Sequence, residues 1–250
     1  MINSESIVKV AHLLEKSRKI ILWIVIIVIA SATLVYFKVN SLIYILAKPL
    51  NGIQLHFMTP SEGVMAKLKV SFLGGLVLAL PVIIFLIIRL TGHTLTKKVK
   101  RLLIFLIIPL SFTLFSLGMY FGYTLVIPTT IKFLIDSGDG FMTPTLSANE
   151  YFSFIASMLF CIGVIFELPL ILIALSRIGV ITSKMLKSAR KMTILLSFVG
   201  ATIITPSSDA FTLTIVTMPI LVLYEISIWA IFLLEKRDKR KKSKEIAQEI

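Results

Sequence analysis

Two carboxylates lie inside long apolar stretches of the chain, where an acid needs a chemical reason to be present. Glu167 lies ten residues before Arg177, and Glu225 lies eleven residues before Lys236. An ionised acid at the centre of a bilayer costs at least ~2.5 kcal/mol, so each carboxyl group must be protonated, hydrated or bound to a partner. The similar spacing predicts that both acids lie at a similar depth in a membrane.

Two kinds of chemistry fit this pair of acids. In a proton-coupled secondary transporter, Glu167 and Glu225 would relay protons or hold a substrate amine. Alternatively, they would keep a polar, hydrated pocket open on one face of a helix bundle. Pro169 follows closely and lacks a backbone N–H, so it predicts a kink beside Glu167. The structural alternative is a protonated Glu167 that is hydrogen-bonded between helices.

The sequence shows no pattern typical of an enzyme. Its three histidines are His12, His56 and His93, which are far apart along the chain and form no motif with metal-ligand spacing. No residue stands out as an activated nucleophile. We therefore expect no catalytic residues, no metal and no cofactor.

The elements that must position these acids are membrane-spanning helices. Hydrophobic residues make up 57% of the 250 residues and the mean hydropathy is +0.96, whereas soluble domains contain about 45–50% apolar residues. Most of the apolar segments approach the ~20 residues that a spanning helix needs, which predicts an all-α integral membrane protein with six spans. The predicted helices are 20–37, 68–88, 102–127, 151–175, 192–204 and 211–234, with short fifth and sixth helices.

The distribution of basic residues predicts the orientation of these helices. Most of the 26 Lys and Arg residues fall in the N-terminal segment, the second and fourth connections and the C-terminal tail. Because cytoplasmic loops carry the excess of Lys and Arg, both termini are predicted to be cytoplasmic in a multi-pass protein of the cell (inner) membrane. The net charge of +13 then follows from insertion and does not indicate a nucleic-acid partner.

The remaining segments complete the predicted organisation. Residues 1–234 form a single membrane domain, in which residues 1–19 are predicted to be an amphipathic segment on the cytoplasmic surface. Residues 235–250 are predicted to be a disordered basic tail. The outer connections, 38–67 and 128–150, contain turn-rich Pro and Gly sequence and are predicted to fold together as a cap.

A series of short motifs, in order along the chain, resembles one family. The motifs include His12-Leu13-Leu14-Glu15, Lys48-Pro49-Leu50, Pro60-Ser61-Glu62, Phe166-Glu167-Leu168-Pro169, Thr205-Pro206 with Asp209, and Pro219 with Tyr224-Glu225. Each motif alone is weak, but their order along roughly residues 8–232 resembles the TatC family. TatC is the multi-spanning receptor subunit of the twin-arginine, or Sec-independent, protein translocase.

The resemblance implies a function in protein export. A TatC-like receptor binds the twin-arginine signal peptides of folded cargo proteins and recruits single-span partners of the TatA and TatB type. Export is then driven by the proton-motive force, without a cofactor. The resemblance also implies that the chain works in the lipid bilayer within a larger complex, in which it can form a homo-oligomer.

The resemblance places signal-peptide recognition in the N-terminal segment and the loop between the second and third spans. The candidate residues in the N-terminal segment are His12 and Glu15, and those in the loop region are Leu90, His93 and Val99. A carboxylate suits a guanidinium, which it can bind in a bidentate manner. Here the chain departs from the family, because Val99 stands where a glutamate is usual, Leu90 replaces an aromatic residue and His93 replaces a common proline. We expect recognition to depend on Glu15.

The resemblance assigns the other candidate residues to three sites. The intramembrane polar pocket contains Glu167, Glu225 and Pro169. The outer cap and hairpin contain Pro49, Pro60, Glu62 and Asp209, although Asp209 also fits a simple turn. Partner helices are expected to dock near Thr205, Leu213 and Thr214, where Leu213 replaces a frequent glutamine.

Overall fold

The computed structural model describes the backbone of residues 4–50, 53, 55–91, 97–138, 145–177, 179–205 and 209–249. Side chains are described over the same ranges except 4–17, 87–91, 97–106, 204 and 241–249. This part of the chain is almost entirely helical. The helices are α1 (Ser4–Tyr36), α2 (Val39–Ala47), α3 (Glu62–Thr91), α4 (Lys97–Phe121), α5 (Ile127–Asp136), α6 (Ala148–Phe166), α7 (Leu168–Arg177), α8 (Ser183–Ser188), α9 (Arg190–Ile204) and α10 (Ala210–Glu249).

Several helical stretches are long and apolar enough to cross a membrane. Within the described residues there are five: Arg18–Tyr36, Glu62–Leu86, Ile107–Asp136, Ala148–Arg177 and Ala210–Arg240. They agree with the predicted helical, multi-pass membrane protein. The predicted segment 192–204 lies in α9, whose 15 residues extend about 22 Å, against ~30 Å for the hydrocarbon core. Its predicted shortness is confirmed.

The N-terminal helix differs from the prediction. Residues 1–19 were expected to form a separate surface segment, whereas α1 is one continuous helix of 33 residues from Ser4 to Tyr36. Its sequence contains neither Gly nor Pro, so no residue in it weakens or interrupts the ladder of backbone hydrogen bonds. The surface segment and the first span are therefore parts of one helix, and the apolar stretch Arg18–Tyr36 agrees with the predicted span 20–37.

The C-terminal helix also differs from the prediction. We expected a short sixth helix and a disordered tail from residue 235, but α10 has 40 residues and continues to Glu249. Strong helix formers dominate the sequence beyond 234, and Glu235 precedes Lys239 by four residues, a spacing that stabilises a helix. Pro219 lies inside α10 and does not end it.

The predicted loop after residue 127 begins later in the structure. A π-helical turn, Gly122–Val126, joins α4 directly to α5, so the chain stays helical until Asp136. Pro128 lies two residues after this π-helical turn, where the regular ladder of backbone hydrogen bonds is already interrupted and a missing N–H is tolerated. The sequence predicted that the connection starts at Pro128, whereas proline is also compatible with a helix at this position.

The described contacts divide the chain into two compact units. The first runs to Thr113 and includes Ser137–Ala156, and the second contains Leu114–Asp136 and everything from Ser157 onward. In the first unit α1 packs against α3. A Cβ atom on Gly75 would lie 2.4 Å from the backbone nitrogen of Ala32, so only glycine permits this approach.

Glycines and aromatic rings also set the packing of α4 against α6 in the second unit. A Cβ atom on Gly118 would lie 2.8 Å from the ring of Phe166, and one on Gly163 would lie 2.7 Å from the ring of Phe115. Each helix thus offers a glycine to a phenylalanine of the other. Phe115 is fully buried, which makes this contact part of the core of the unit.

Candidate functional site

Glu167 lies at a break between two helices of the second unit. Its N–H donates to the carbonyl of Val164 at 3.0 Å, and its own carbonyl accepts from the N–H of Ile171 at 3.0 Å. Pro169 has no N–H to donate to the carbonyl of Ile165, so the helix is interrupted here and α6 and α7 are separate. The half-buried Glu167 is therefore the residue between α6 and α7, at the place where Pro169 predicted a kink.

Glu225 has a partner that the sequence analysis did not predict. Its carboxylate accepts a hydrogen bond from Nη2 of Arg190, the first residue of α9, and the two side chains form an ion pair. The Arg190 side chain is 48% exposed and that of Glu225 is 41% exposed, so in water the pair would contribute little. The partner nevertheless supplies the charge balance that an acid in an apolar helix requires.

Counting residues outward from the connection between α9 and α10 could have predicted this ion pair. Arg190 is the 15th residue counted back from the end of α9, and Glu225 is the 16th residue of α10. Two adjacent antiparallel helices place residues at equal distances from their connection beside each other. From its place in the sequence, Arg190 was predicted only to be one of the bases of the fourth connection. The shared pocket of Glu225 with Glu167 stays a prediction.

A loop cluster in the first unit joins two segments predicted to form the cap. Strands β1 (Leu55–His56) and β2 (Leu146–Ser147) pair in parallel, and Ser147 donates from Oγ to Oε2 of Glu62 at 3.0 Å. The carboxylate of Glu62 is buried, and the same Ser147 oxygen accepts from the N–H of Glu150 in the first turn of α6. We define the loop cluster as β1, β2 and the Glu62–Ser147 hydrogen bond.

Three further hydrogen bonds stabilise the surroundings of the loop cluster. Tyr151 donates its hydroxyl proton to the carbonyl of Leu46 at 2.9 Å. Lys69 donates from Nζ to Oδ1 of Asn149 at 2.7 Å and also to the hydroxyl of Ser153. Of the predicted cap prolines, Pro49 lies in a 3-10 turn, Lys48–Leu50, and the exposed Pro60 lies in the turn before α3.

Replacing Glu62 with alanine tests the loop cluster. The variant leaves the buried hydroxyl of Ser147 without its acceptor, so we expect a loss of about 1–3 kcal/mol in the free energy of unfolding. Thermal unfolding in detergent measures it. The exposed Glu150 is the matched control, because Glu150→Ala removes an acid from the same region and should lose less than about 1 kcal/mol. Equal losses would contradict a specific role for Glu62.

The start of α10 gives Asp209 a local structural role. Oδ2 of Asp209 accepts from the N–H of Thr212 at 2.7 Å, and its carbonyl accepts from the N–H of Leu213 at 3.1 Å. These contacts make Asp209 the N-cap of α10. Thr205 is buried after α9 and donates to the carbonyl of Ala201 at 2.9 Å.

The candidate docking residues of α10 differ in their exposure. Leu213 is half-buried, whereas Thr214 is exposed and donates its hydroxyl proton to Ala210 within its own helix. Exposed apolar side chains lie nearby along the chain, since Ile203 is 81% exposed and Met218 is 62% exposed. The α9 and α10 helices therefore present an apolar surface that lipid or another helix must cover.

The predicted signal-recognition residues have a described backbone at four of five positions. His12 and Glu15 lie in α1, Leu90 lies in α3 and Val99 lies in α4, and the side chains of all four lie outside the described residues. His93 lies outside the described residues altogether. Their assembly into one site stays a prediction. Among the residues that the structure describes, no group of His, Cys, Asp and Glu is arranged to hold a metal.

Hydrogen bonds that were not predicted from the sequence join α8, which follows α7 after a short connection, to α10. Glu235 accepts from the N–H of Ser183 at 2.9 Å with Oε1, and its other oxygen accepts from the Ser183 hydroxyl. The buried hydroxyl of Tyr224 donates to the carbonyl of Leu186 at 2.8 Å. Assigning Glu235 to a disordered tail concealed this contact.

Comparison with known proteins decides the family. The model of the family described as Sec-independent protein translocase protein (TatC) matches residues 11–219. The chain belongs to the TatC family. TatC of Aquifex aeolicus is 36% identical over 226 residues, which cover 87% of this chain and 92% of that relative. TatC of Carboxydothermus hydrogenoformans is 31% identical over 218 residues, which cover 86% of this chain and 89% of that relative.

Solved TatC structures share the fold. A crystal structure of a TatC described as a twin-arginine translocase receptor has a TM-score of 0.77 and 31% identity, covering 88% of this chain and 99% of that chain. The predicted resemblance to the TatC family is therefore confirmed. Membership makes the chain a component of Sec-independent protein translocation, and this transport role replaces the alternative of a proton-coupled solute transporter.

Proposed function

We propose that this TatC-family chain is the receptor and core subunit of its translocase. It binds the twin-arginine signal peptides of folded proteins and recruits single-span partners of the TatA and TatB type for export driven by the proton-motive force. The observation that carries this proposal is the family match over residues 11–219. Similarity to a TatC described as a twin-arginine translocase receptor supports the receptor role.

In the proposed arrangement the protein crosses the inner (cell) membrane six times. Both termini lie in the cytoplasm. The short α9 is the fifth span, and the five longer apolar stretches are the others. The excess of Lys and Arg at the chain ends supports the orientation. A span of about 22 Å requires local bilayer thinning or a covering partner, each at fractions of a kcal/mol per Å.

The proposed signal site uses Glu15 as the carboxylate that accepts the guanidinium of the signal. His12, Leu90, His93 and Val99 complete the surface that surrounds the signal peptide. Arg pairs with a carboxylate through two parallel hydrogen bonds, which distinguishes it from Lys. The absence of a glutamate at Val99 removes one such partner.

The proposed docking surface for a single-span partner lies around Thr205, Leu213 and Thr214. The exposed Thr214 hydroxyl and the exposed apolar side chains of α9 and α10 support it, because hydroxyl and apolar groups together suit a helix that packs within lipid. Leu213 in place of a glutamine favours an apolar partner surface.

The polar pocket and the cap complete the proposal. The helix break leaves the carbonyl of Ile165 without the N–H that Pro169 lacks, and a hydrated concavity can satisfy that carbonyl. Glu225 with its partner Arg190 adds charge to the same unit. We assign Pro49, Pro60 and Glu62 to an outer cap that supports the spans. Asp209 keeps the outer hairpin closed by capping α10.

Restoration of export tests the proposed function. A folded reporter with a twin-arginine signal is expressed in cells that lack their own receptor, together with this chain and its native single-span partners. We expect export of the reporter and no export when the two signal arginines are replaced by lysines. Export of both signals alike would contradict the receptor role. The partners are also expected to co-purify with the chain, and proton-coupled solute uptake by the isolated protein would overturn the proposal.

A further inference from the structure

A cavity lies where the apolar part of α10 gives way to its basic part. Its volume is about 570 Å³. It is lined by Ala230, Leu233, Leu234, Lys236, Arg237 and Arg240. All six of these residues belong to α10, so one end of the cavity along the helix is apolar and the other end carries three cations. On a helix, Leu233, Arg237 and Arg240 share one face because their spacings are four and three residues.

A second cavity of about 410 Å³ lies beside the same two arginines. It is lined by Arg177, Leu234, Arg237, Asp238 and Arg240. Nη1 of Arg177 donates to Oδ2 of Asp238 at 3.0 Å, and this ion pair neutralises those two side chains locally. Within the described residues, Arg237 and Arg240 make no ion pair. The charge that both cavities present to a ligand is therefore positive.

The helix surface that leads to the first cavity is apolar and exposed. Trp229 is 61% exposed and Leu233 is 56% exposed, and the two are four residues apart on one face of α10. Tryptophan is enriched at the boundary between hydrocarbon and headgroups. The apolar surface and the arginines thus follow one another along the helix as the acyl chain and headgroup of a phospholipid do.

We propose that this region is a binding site for one anionic membrane phospholipid. The phosphate group lies between Arg237 and Arg240, with Lys236 adding charge, and an acyl chain lies along Ala230, Leu233 and Trp229. Guanidinium groups bind phosphate oxygens through paired hydrogen bonds. A zwitterionic lipid should bind less tightly, because its own ammonium group competes with the arginines for the phosphate. The proposal goes beyond the translocase function and does not depend on it.

Free phosphate does not account for the apolar end of the cavity. A small inorganic anion would use the arginines and leave Leu233 and Leu234 uncovered, whereas a phospholipid covers both parts of the cavity. An acidic protein segment is the other ligand that arginines would accept. It does not require the continuous apolar surface that extends from Trp229 toward the middle of the predicted span.

The test measures lipid binding to the full chain. The protein is purified in detergent, and binding of phosphatidylglycerol and phosphatidylcholine is followed by native mass spectrometry at matched lipid concentrations. We expect phosphatidylglycerol to bind more tightly. In the variant Arg237→Ala/Arg240→Ala its affinity should fall about 30-fold, because each base near a headgroup contributes roughly a factor of five. Arg240→Ala alone should lower it about fivefold.

The matched control removes two cations that do not line the cavity. Lys132 and Lys191 are both exposed, and Lys132→Ala/Lys191→Ala lowers the net charge by the same amount. Lys132 lies beside Phe133, which stacks on Phe211 at the start of α10, and Lys191 lies beside Arg190, which pairs with Glu225, so both are far along α10 from residues 236–240. We expect its affinity for phosphatidylglycerol to stay within about threefold of the original, since bulk salt screens charges beyond ~8 Å. Size-exclusion chromatography and helical content confirm that each variant is folded.

Three results would overturn the proposal. Equal loss in both double variants would indicate diffuse attraction without a site. Displacement of the lipid by inorganic phosphate at comparable concentration would assign the cavity to a small anion. If Arg237→Ala/Arg240→Ala left lipid binding unchanged but abolished co-purification of a partner protein, the cavity would be assigned to an acidic protein segment.

Discussion

Replacing Gly75 with alanine is expected to destabilise the first unit by about 3 kcal/mol, at the upper end of the range for overpacking. The added Cβ would lie 2.4 Å from the nitrogen and 2.5 Å from the Cα of Ala32. These are backbone atoms, which cannot rotate away as the end of a side chain can. The whole of α1 must therefore move from α3 to admit one methyl group. Thermal unfolding in detergent measures the loss.

Gly200→Ala is the matched control for this experiment. Gly200 lies in α9, and within the described residues nothing lies within 4 Å of a Cβ atom added there. Alanine is favoured over glycine inside a helix by about 1 kcal/mol, so this variant should be as stable as the original or slightly more stable. Similar unfolding temperatures for both variants would show that α1 and α3 do not approach as closely as described.

Replacing Glu15 with alanine is expected to lower crosslinking of a twin-arginine signal peptide by at least about 30-fold. Each hydrogen bond to a charged group contributes about 1.5–3 kcal/mol, a bidentate pair makes two of them, and 2 kcal/mol is roughly 30-fold in affinity. The effect should be large in this chain because Val99 replaces the second carboxylate expected at the recognition site. Photo-crosslinking of a labelled signal peptide to the chain in membranes measures it.

Two variants sharpen this second experiment. Glu5→Ala removes an acid from the same helix, α1, and should leave crosslinking unchanged. Val99→Glu restores a carboxylate in α4 and should strengthen crosslinking, and it should partly rescue Glu15→Ala. Unchanged crosslinking after Glu15→Ala would refute the dependence on Glu15, while the family assignment would stand.

The spans could be predicted from the sequence, but several of their ends could not. Apolar length identifies the part of a helix that lies in lipid, and α1 and α10 both continue beyond it into charged sequence. Charged residues with good helix propensity do not stop a helix, since only Gly, Pro or a capping residue gives a local signal. The predictions placed helix ends where the hydropathy changed, but the backbone of α1 and α10 remains helical at those positions.

Parts of the candidate site were predictable for a different reason. The ordered motifs identified the TatC family because each block occurs at its expected place, and a proline after Glu167 predicted the helix break from the missing N–H alone. The ion pair of Glu225 with Arg190 and the contact of Glu235 with Ser183 depend on which helices are neighbours. Spacing along one segment does not contain that information.

The length of α10 has a mechanical consequence. Its 40 residues extend about 60 Å, twice the thickness of the hydrocarbon core, and Pro219 lies about 45 Å from the end at Glu249. A proline inside a helix is where bending concentrates. By geometry, a bend of about 10° there displaces the far end by about 8 Å. A small bend at Pro219, inside the apolar stretch, would thus move the basic residues at the end of α10 by several ångströms.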